Sequence, residues 1–162
     1  MKKLSGIIAG CLAIISFELR AQALENSSEE NAVKKVITGE TEAYVKRDSL
    51  LMFSYYISDD ITQCLWNNLN GTYGSFKGLA QIRKNYSDFF KKNPEPAAEP
   101  KIERNNWYFK ALSPDWMWVN FIQKTTMTDG KLFTNYETRL MKKENTGWKI
   151  AVVYSLGDHG KN

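Results

Sequence analysis

The sequence predicts an α+β fold in which a curved sheet wraps N-terminal helices. Two observations predict it. Helical periodicity dominates the first half of the chain, and the second half holds four strand-length runs joined by short polar turns. The length is consistent, because 162 residues allow one domain to bury a core without disulfides or metals.

Residues 1–23 read as a cleavable signal peptide, ahead of a single domain over 24–162. Met1-Lys2-Lys3 is a short positive segment, and Leu4 to Phe17 is an apolar run too short to span a bilayer. Small residues then offer cleavage after Ala21 or Ala23. Export to the periplasm is expected, with no membrane span left after cleavage. The alternative is a lipoprotein anchored through Cys11, since Ile8-Ala9-Gly10-Cys11 resembles a lipobox. Against it, only a short apolar run precedes Cys11 and the run continues beyond it.

Ser27-x-x-Glu30 is a capping-box pattern. Val33, Val36, Ile37, Glu40 and Tyr44 then recur at helical spacing, predicting a helix from about Glu29 to Arg47. Asp48 is placed to cap a second, short helix with Leu50, Leu51 and Phe53. Ile61 to Trp66 reads as a strand, and Asn67 to Gly71 as turn chemistry. From Gly78, Leu79, Ile82, Tyr86, Phe89 and Phe90 share a helical face until Pro94 ends it. The meander strands are read over 101–112, 116–127, 132–142 and 148–155. Ser113-Pro114-Asp115, Thr128-Asp129-Gly130 and Asn145-Thr146-Gly147 turn between them, favouring antiparallel neighbours. A sheet curved around a long helix leaves a cavity, the default place for a ligand.

Composition excludes several functions. The formal charge is +4, but Lys2, Lys3 and Arg20 outnumber Glu18 in the leader, so the remainder is closer to neutral. No basic stripe is present, and no nucleic-acid partner is expected. Cys64 is left alone after cleavage and reads as a buried thiol. His159 is the only histidine and lies in the tail; without clustered cysteines or carboxylates no metal site is expected. There is no Gly-rich phosphate loop and no Gly-x-Ser-x-Gly elbow, so neither a cofactor nor serine-hydrolase chemistry is expected.

Tyr44-x-x-x-Asp48, Asp59-Asp60 before a strand, Gly78-Leu79-x-x-Ile82-Arg83, Glu137-Thr138-Arg139-Leu140 and Gly147-Trp148-Lys149-Ile150 follow one another in an order that resembles the nuclear transport factor 2-like superfamily. The resemblance covers nearly all of the mature chain. Within it the sequence is similar to the SnoaL-like group of exported bacterial proteins. It implies a cone-shaped, mixed or antiparallel sheet. It does not settle function, because the superfamily mixes isomerases and cyclases with non-catalytic binding proteins.

Counted from the Asp-Asp pair, the resemblance puts the isomerase-type base near Leu65 or Trp66, and neither accepts a proton. The second carboxylate of that pattern falls at Glu137. Glu137 is therefore the one catalytic candidate, as a cavity acid or base beside Arg139 on the same strand face. The plainer reading is an ion pair on an exposed face, satisfied by Arg139 or Lys149. Arg139 could also hold a ligand carboxylate with its planar fork. Asp60 could sit at the cavity mouth, although turn formation explains it as well. Tyr44, Trp66, Tyr73, Trp107, Trp118 and Tyr154 could line an aromatic pocket, although ordinary packing explains any one of them. With 13% aromatic residues some must reach a second surface, such as a homodimer interface on the outer sheet face. The expectation is a binding domain for a small apolar or aromatic ligand. An isomerase-, cyclase- or dehydratase-like enzyme on an apolar ring substrate and a dimeric interaction module are the alternatives.

Overall fold

The first apolar stripe forms α1 (residues 27–45), in which Val33 and Ile37 are fully buried and Tyr44 packs against the same core. A computed structural model describes residues 27–68, 70–96 and 99–158; the leader with Cys11 and its cleavage sites, and His159, lie outside them. Glu29 ties the start of α1 to the last hairpin, accepting from Lys143 Nζ at 2.9 Å and from the Trp148 indole. The helix stops two residues before the expected end, in a Schellman turn. Asp48 N–H donates to Ala43 O at 2.9 Å and Arg47 N–H donates to Tyr44 O at 3.1 Å. Arg47, not a glycine, takes the left-handed position of that turn at φ 62°. This costs about 1–2 kcal/mol. Its guanidinium lies 5.2 Å from the Tyr44 ring, 4.9 Å from Phe89 and 5.3 Å from Phe90, and these contacts offset the strain.

Asp48 caps α2 (Ser49–Ser54) by accepting from Leu51 N–H at 2.9 Å. Only Met52 and Phe53 of α2 are buried, and Leu50 is left facing water. Asp59 then accepts from Ile61 N–H at 3.0 Å, a local turn that delays β1 (Gln63–Asn67) by two residues relative to expectation. After β1 comes β2 (Tyr73–Lys77), a short strand that the sequence reading did not anticipate. Helix α3 (Leu79–Lys92) buries Leu79, Ile82 and Phe90.

The meander forms as expected: β3 (Lys101–Ser113), β4 (Trp116–Thr126), β5 (Leu132–Glu144) and β6 (Gly147–Gly157). The six-stranded sheet has the order β2-β1-β6-β5-β4-β3. The β1–β6 pair is parallel and the others are antiparallel. Three register shifts interrupt the ladders and bend the sheet. One lies at Asn106 on β3, whose φ is 53°; a second lies between Ala111 and Ser113 at the end of β3; the third lies where Ala151 is inserted opposite Leu140 and Met141. Met117, Val119, Phe121, Met141 and Ile150 fill the concave face. Trp107 joins them, stacked on Phe121 with ring centres 4.3 Å apart.

Gly74 stands opposite Trp66 in the β1–β2 register, and a Cβ there would run into the indole ring. Valine ordinarily favours a strand. Gly74→Val is nonetheless expected to cost about 1–3 kcal/mol through overpacking. The check is the urea midpoint followed by circular dichroism; a variant as stable as the parent would mean that the indole is not held against β2.

Candidate functional site

Strand alternation turns Glu137 and Arg139 of β5 toward the concave face, where they are 3% and 6% exposed. They do pair, Arg139 Nη1 lying 2.7 Å from Glu137 Oε2, but in the interior and not on an exposed face. Burial is what separates this from a surface ion pair: with one partner removed, the other would be left charged and without water. Lys149 takes no part, since its ammonium donates to Ser54 O. The other Glu137 oxygen accepts from Ser155 Oγ at 2.7 Å, and Ser155 in turn accepts from Asn135 Nδ2 at 2.8 Å. Arg139 also donates to Thr138 O at 3.0 Å, while its Nε is buried without a hydrogen-bond partner.

A second carboxylate comes from α1. Glu40 sits on the apolar stripe and accepts from the buried Tyr56 hydroxyl at 2.8 Å. Burial raises its pKa above the ordinary carboxylate value, and the charge of Glu137 adds to this; Arg139 and the Tyr56 hydrogen bond only partly offset the rise. Desolvation likewise lifts Tyr56 and Tyr86 well above the usual phenol range, and the neighbouring Glu40 charge adds to both. The Cys64 thiol is pushed up to about 12, by burial first and Glu40 second, so it is a neutral, unreactive lining group at pH 7. Against its own desolvation, Arg139 is held above its ordinary value by Glu137 and Glu40. Sequence reasoning missed Glu40, Tyr56 and Tyr86 as site residues. The available signal was a carboxylate at a core position of an apolar helical stripe.

Next to this cluster lies a cavity of about 370 Å3, where β1 and β6 end and β5 begins. Tyr44, Trp66 and Tyr86 supply its aromatic walls, and Cys64, Asn67, Asn135 and Ser155 its smaller and polar groups. Ser155 links the two, since it lines the cavity and donates to Glu137. Phe76 supports the wall edge-on, 4.9 Å from Trp66 and 5.8 Å from Tyr86 between ring centres. A larger hollow of about 560 Å3 is an open groove along the surface of α1 between Lys34 and Glu42, away from these groups.

Of the anticipated pocket residues, Tyr44 and Trp66 border this cavity, and Arg139 lies behind it through Glu137 and Ser155. Leu65 also borders it, so both positions where the base would fall reach the cavity without a proton acceptor. The other four do not reach it. Tyr73 is 73% exposed on edge strand β2, and Trp118, 36% exposed, pairs with Leu140 on the convex face. Tyr154 pairs with Thr138, the neighbour of both buried residues, and so points outward, 3.4 Å from Gln63 Oε1. Asp60 is exposed in the turn ahead of β1. For Trp118 and Tyr154 the physical reason is the period-two alternation of a strand, which turns them away from their concave-facing neighbours Val119 and Ser155. Among the described residues no cluster of three or more histidine, cysteine or carboxylate side chains could hold a metal.

No family model and no curated protein matches the sequence. Solved structures do match. A nuclear transport factor 2-like protein of unknown function from Shewanella oneidensis superposes with TM-score 0.60 at 16% identity, over 78% of this chain and 98% of its own. A proposed dehydratase of the same family from Streptomyces avermitilis gives 0.64 at 12%, over 82% and 96%. A ketosteroid isomerase-like protein from Erwinia carotovora atroseptica gives 0.55 at 16%, over 79% and 95%. The chain therefore has the nuclear transport factor 2-like fold.

Glu40 makes stability depend on pH. An acid whose pKa is raised by folding favours the folded state while protonated. That contribution is present below the unfolded pKa and is lost as pH rises through the folded value. Between the two pKa values each pH unit costs up to about 1.4 kcal/mol. Glu40→Gln is therefore expected to flatten the loss of stability above pH 4.5 and to be more stable than the parent at neutral pH. Urea midpoints from pH 4 to 8 measure this; parallel curves for the two proteins would show that Glu40 does not titrate in the folded interior.

Proposed function

We propose that the protein is an exported binding domain of the SnoaL-like kind. It holds a small apolar or aromatic molecule with one polar group in the cavity beside Ser155. The observation that carries this reading is the 370 Å3 space walled by Tyr44, Trp66 and Tyr86, with Asn135 and Ser155 at one side. The aromatic walls suit a ring, and the small number of polar groups would fix its orientation. The leader supports delivery to the periplasm, with a lipid anchor at Cys11 as the alternative.

A second reading, acid–base catalysis, is favoured by one observation: a half-buried carboxylate, Glu40, lies close enough to the buried Glu137 for their charges to act on each other. Against it, Glu137 already accepts from Arg139 and Ser155, and it reaches the cavity only through Ser155. Its arrangement suits orienting the serine hydroxyl better than abstracting a proton. A homodimer through the outer face is favoured by the exposure of Tyr108, Trp118, Leu132, Tyr136 and Leu156.

The binding reading is tested with 1-naphthol as probe, titrated by calorimetry into the purified protein. Trp66→Ala is expected to weaken it about tenfold, roughly 1.4 kcal/mol, while Tyr73→Ala on the outer edge leaves it unchanged. Equal effects of the two substitutions would remove the cavity as the site.

A further inference from the structure

We propose that a second hollow, between α1 and the start of β3, binds a small organic monocarboxylate on Arg104. The hollow is about 440 Å3, within the range of small-ligand sites. It lies on the other side of α1 from the cavity above: Thr41 and Val45 border the one, Tyr44 the other. The proposal therefore stands apart from the function proposed for the cavity.

Arg104 is half-buried on the concave side of β3 and is fixed from two directions. Its Nε donates to Gln123 Oε1 at 2.9 Å across the β3–β4 pair, and its Nη2 donates to Thr41 Oγ1 at 2.8 Å from α1. Thr41 is free to accept because its own hydroxyl donates to Ile37 O at 3.0 Å. These contacts set the guanidinium plane and, among the described residues, leave Nη1 without a hydrogen-bond partner. Among the described residues no carboxylate lies within ion-pair distance of Arg104. A guanidinium has five N–H donors in a rigid fork, and its natural complement is a planar carboxylate.

The walls say what the rest of the ligand is. Val45, Pro100 and Ile102 are apolar and half-buried, which suits a short alkyl or aryl tail. The rim carries Lys46 against Glu42 and Glu99. Arg104 and Lys46 together balance Glu42 and Glu99, so the hollow is neutral overall; a monocarboxylate adds one negative charge on the Arg104 fork, whereas a dianion such as phosphate adds two against the rim acids. The burial that strips water from Arg104 works the same way, making the bare cation a better partner for one carboxylate.

The experiment compares benzoate with its uncharged isostere benzamide by calorimetry on the full exported protein. Wild type is expected to prefer benzoate by about tenfold. Arg104→Gln should erase the preference while leaving benzamide affinity unchanged, and Arg104→Lys should recover only part of it. Tyr73→Ala, on the outer edge of the sheet, should leave both affinities unchanged. The proposal is overturned if wild type binds the two probes equally or if the preference survives Arg104→Gln. It is equally overturned if Trp66→Ala is the substitution that abolishes benzoate binding, or if inorganic phosphate competes as well as benzoate does. If Arg104→Gln does not fold, Glu42→Gln on the exposed rim carries the test. Benzoate should then bind several-fold tighter, and an unchanged affinity counts against Arg104 as its seat.

Discussion

The buried pair of Glu137 and Arg139 governs the interior of this fold. Two charged side chains, two residues apart on β5, are both turned into the concave face, where water is scarce. Glu137 accepts from Ser155 of β6, and Glu40 of α1, which accepts from the Tyr56 hydroxyl, adds a second carboxylate whose charge acts on Arg139. An ion pair of this kind adds little net stability over apolar packing, but breaking it is costly. Its effect is therefore on arrangement. A strand register that turned Glu137 and Arg139 outward would also bring Thr138 and Leu140 inward, with Glu40 left facing no cation.

That polar cluster also explains why the interior is not packed solid. Around Met117, Met141 and Ile150 the core is apolar and buried. Toward the ends of β1 and β6 the polar row begins, and side chains that must hydrogen-bond cannot interdigitate as aliphatic ones do. Curvature widens the same region. The inserted residues at Asn106 and Ala151 bend β3 and β6, and Gly74 lets the Trp66 ring fold down over β2. The hollows on either side of α1 are thus products of one geometry: a bent sheet, a single helix laid across it, and polar groups where the two diverge.

The sequence carried the element order well, because period is a local property. The stripe of α1, the Asp48 cap and the four meander strands all rest on residues close together in the chain. Strand β2 was hidden because Tyr73-Gly74-Ser75-Phe76-Lys77 is short, and its glycine answers to a ring on the neighbouring strand and not to local preference. Site residues were harder still. Tyr154 and Ser155 are adjacent, equally plausible as lining, and face opposite ways; only pairing with Thr138 and Glu137 decides between them. Glu40 was visible as a member of the helical stripe, yet a carboxylate in an apolar stripe gains meaning only when a buried arginine is known to face it.

The same logic separates fold from chemistry. Solved structures that share this architecture at 16% identity or less include proteins described as isomerase-like and as a proposed dehydratase, and others with no described function. What they share with this chain is the bent sheet and its helix, which guarantee a hollow and specify nothing inside it. A catalytic base must present a free proton-accepting lone pair to the substrate. Leu65 and Trp66 have none, and both Glu137 oxygens are already engaged, one by a cation and one by a hydroxyl. Among the polar groups that line the cavity is Ser155, held by Glu137 on one side and Asn135 on the other. A serine fixed in this way has its hydroxyl direction set by the protein, and that pre-set direction is the feature on which the proposed binding role rests.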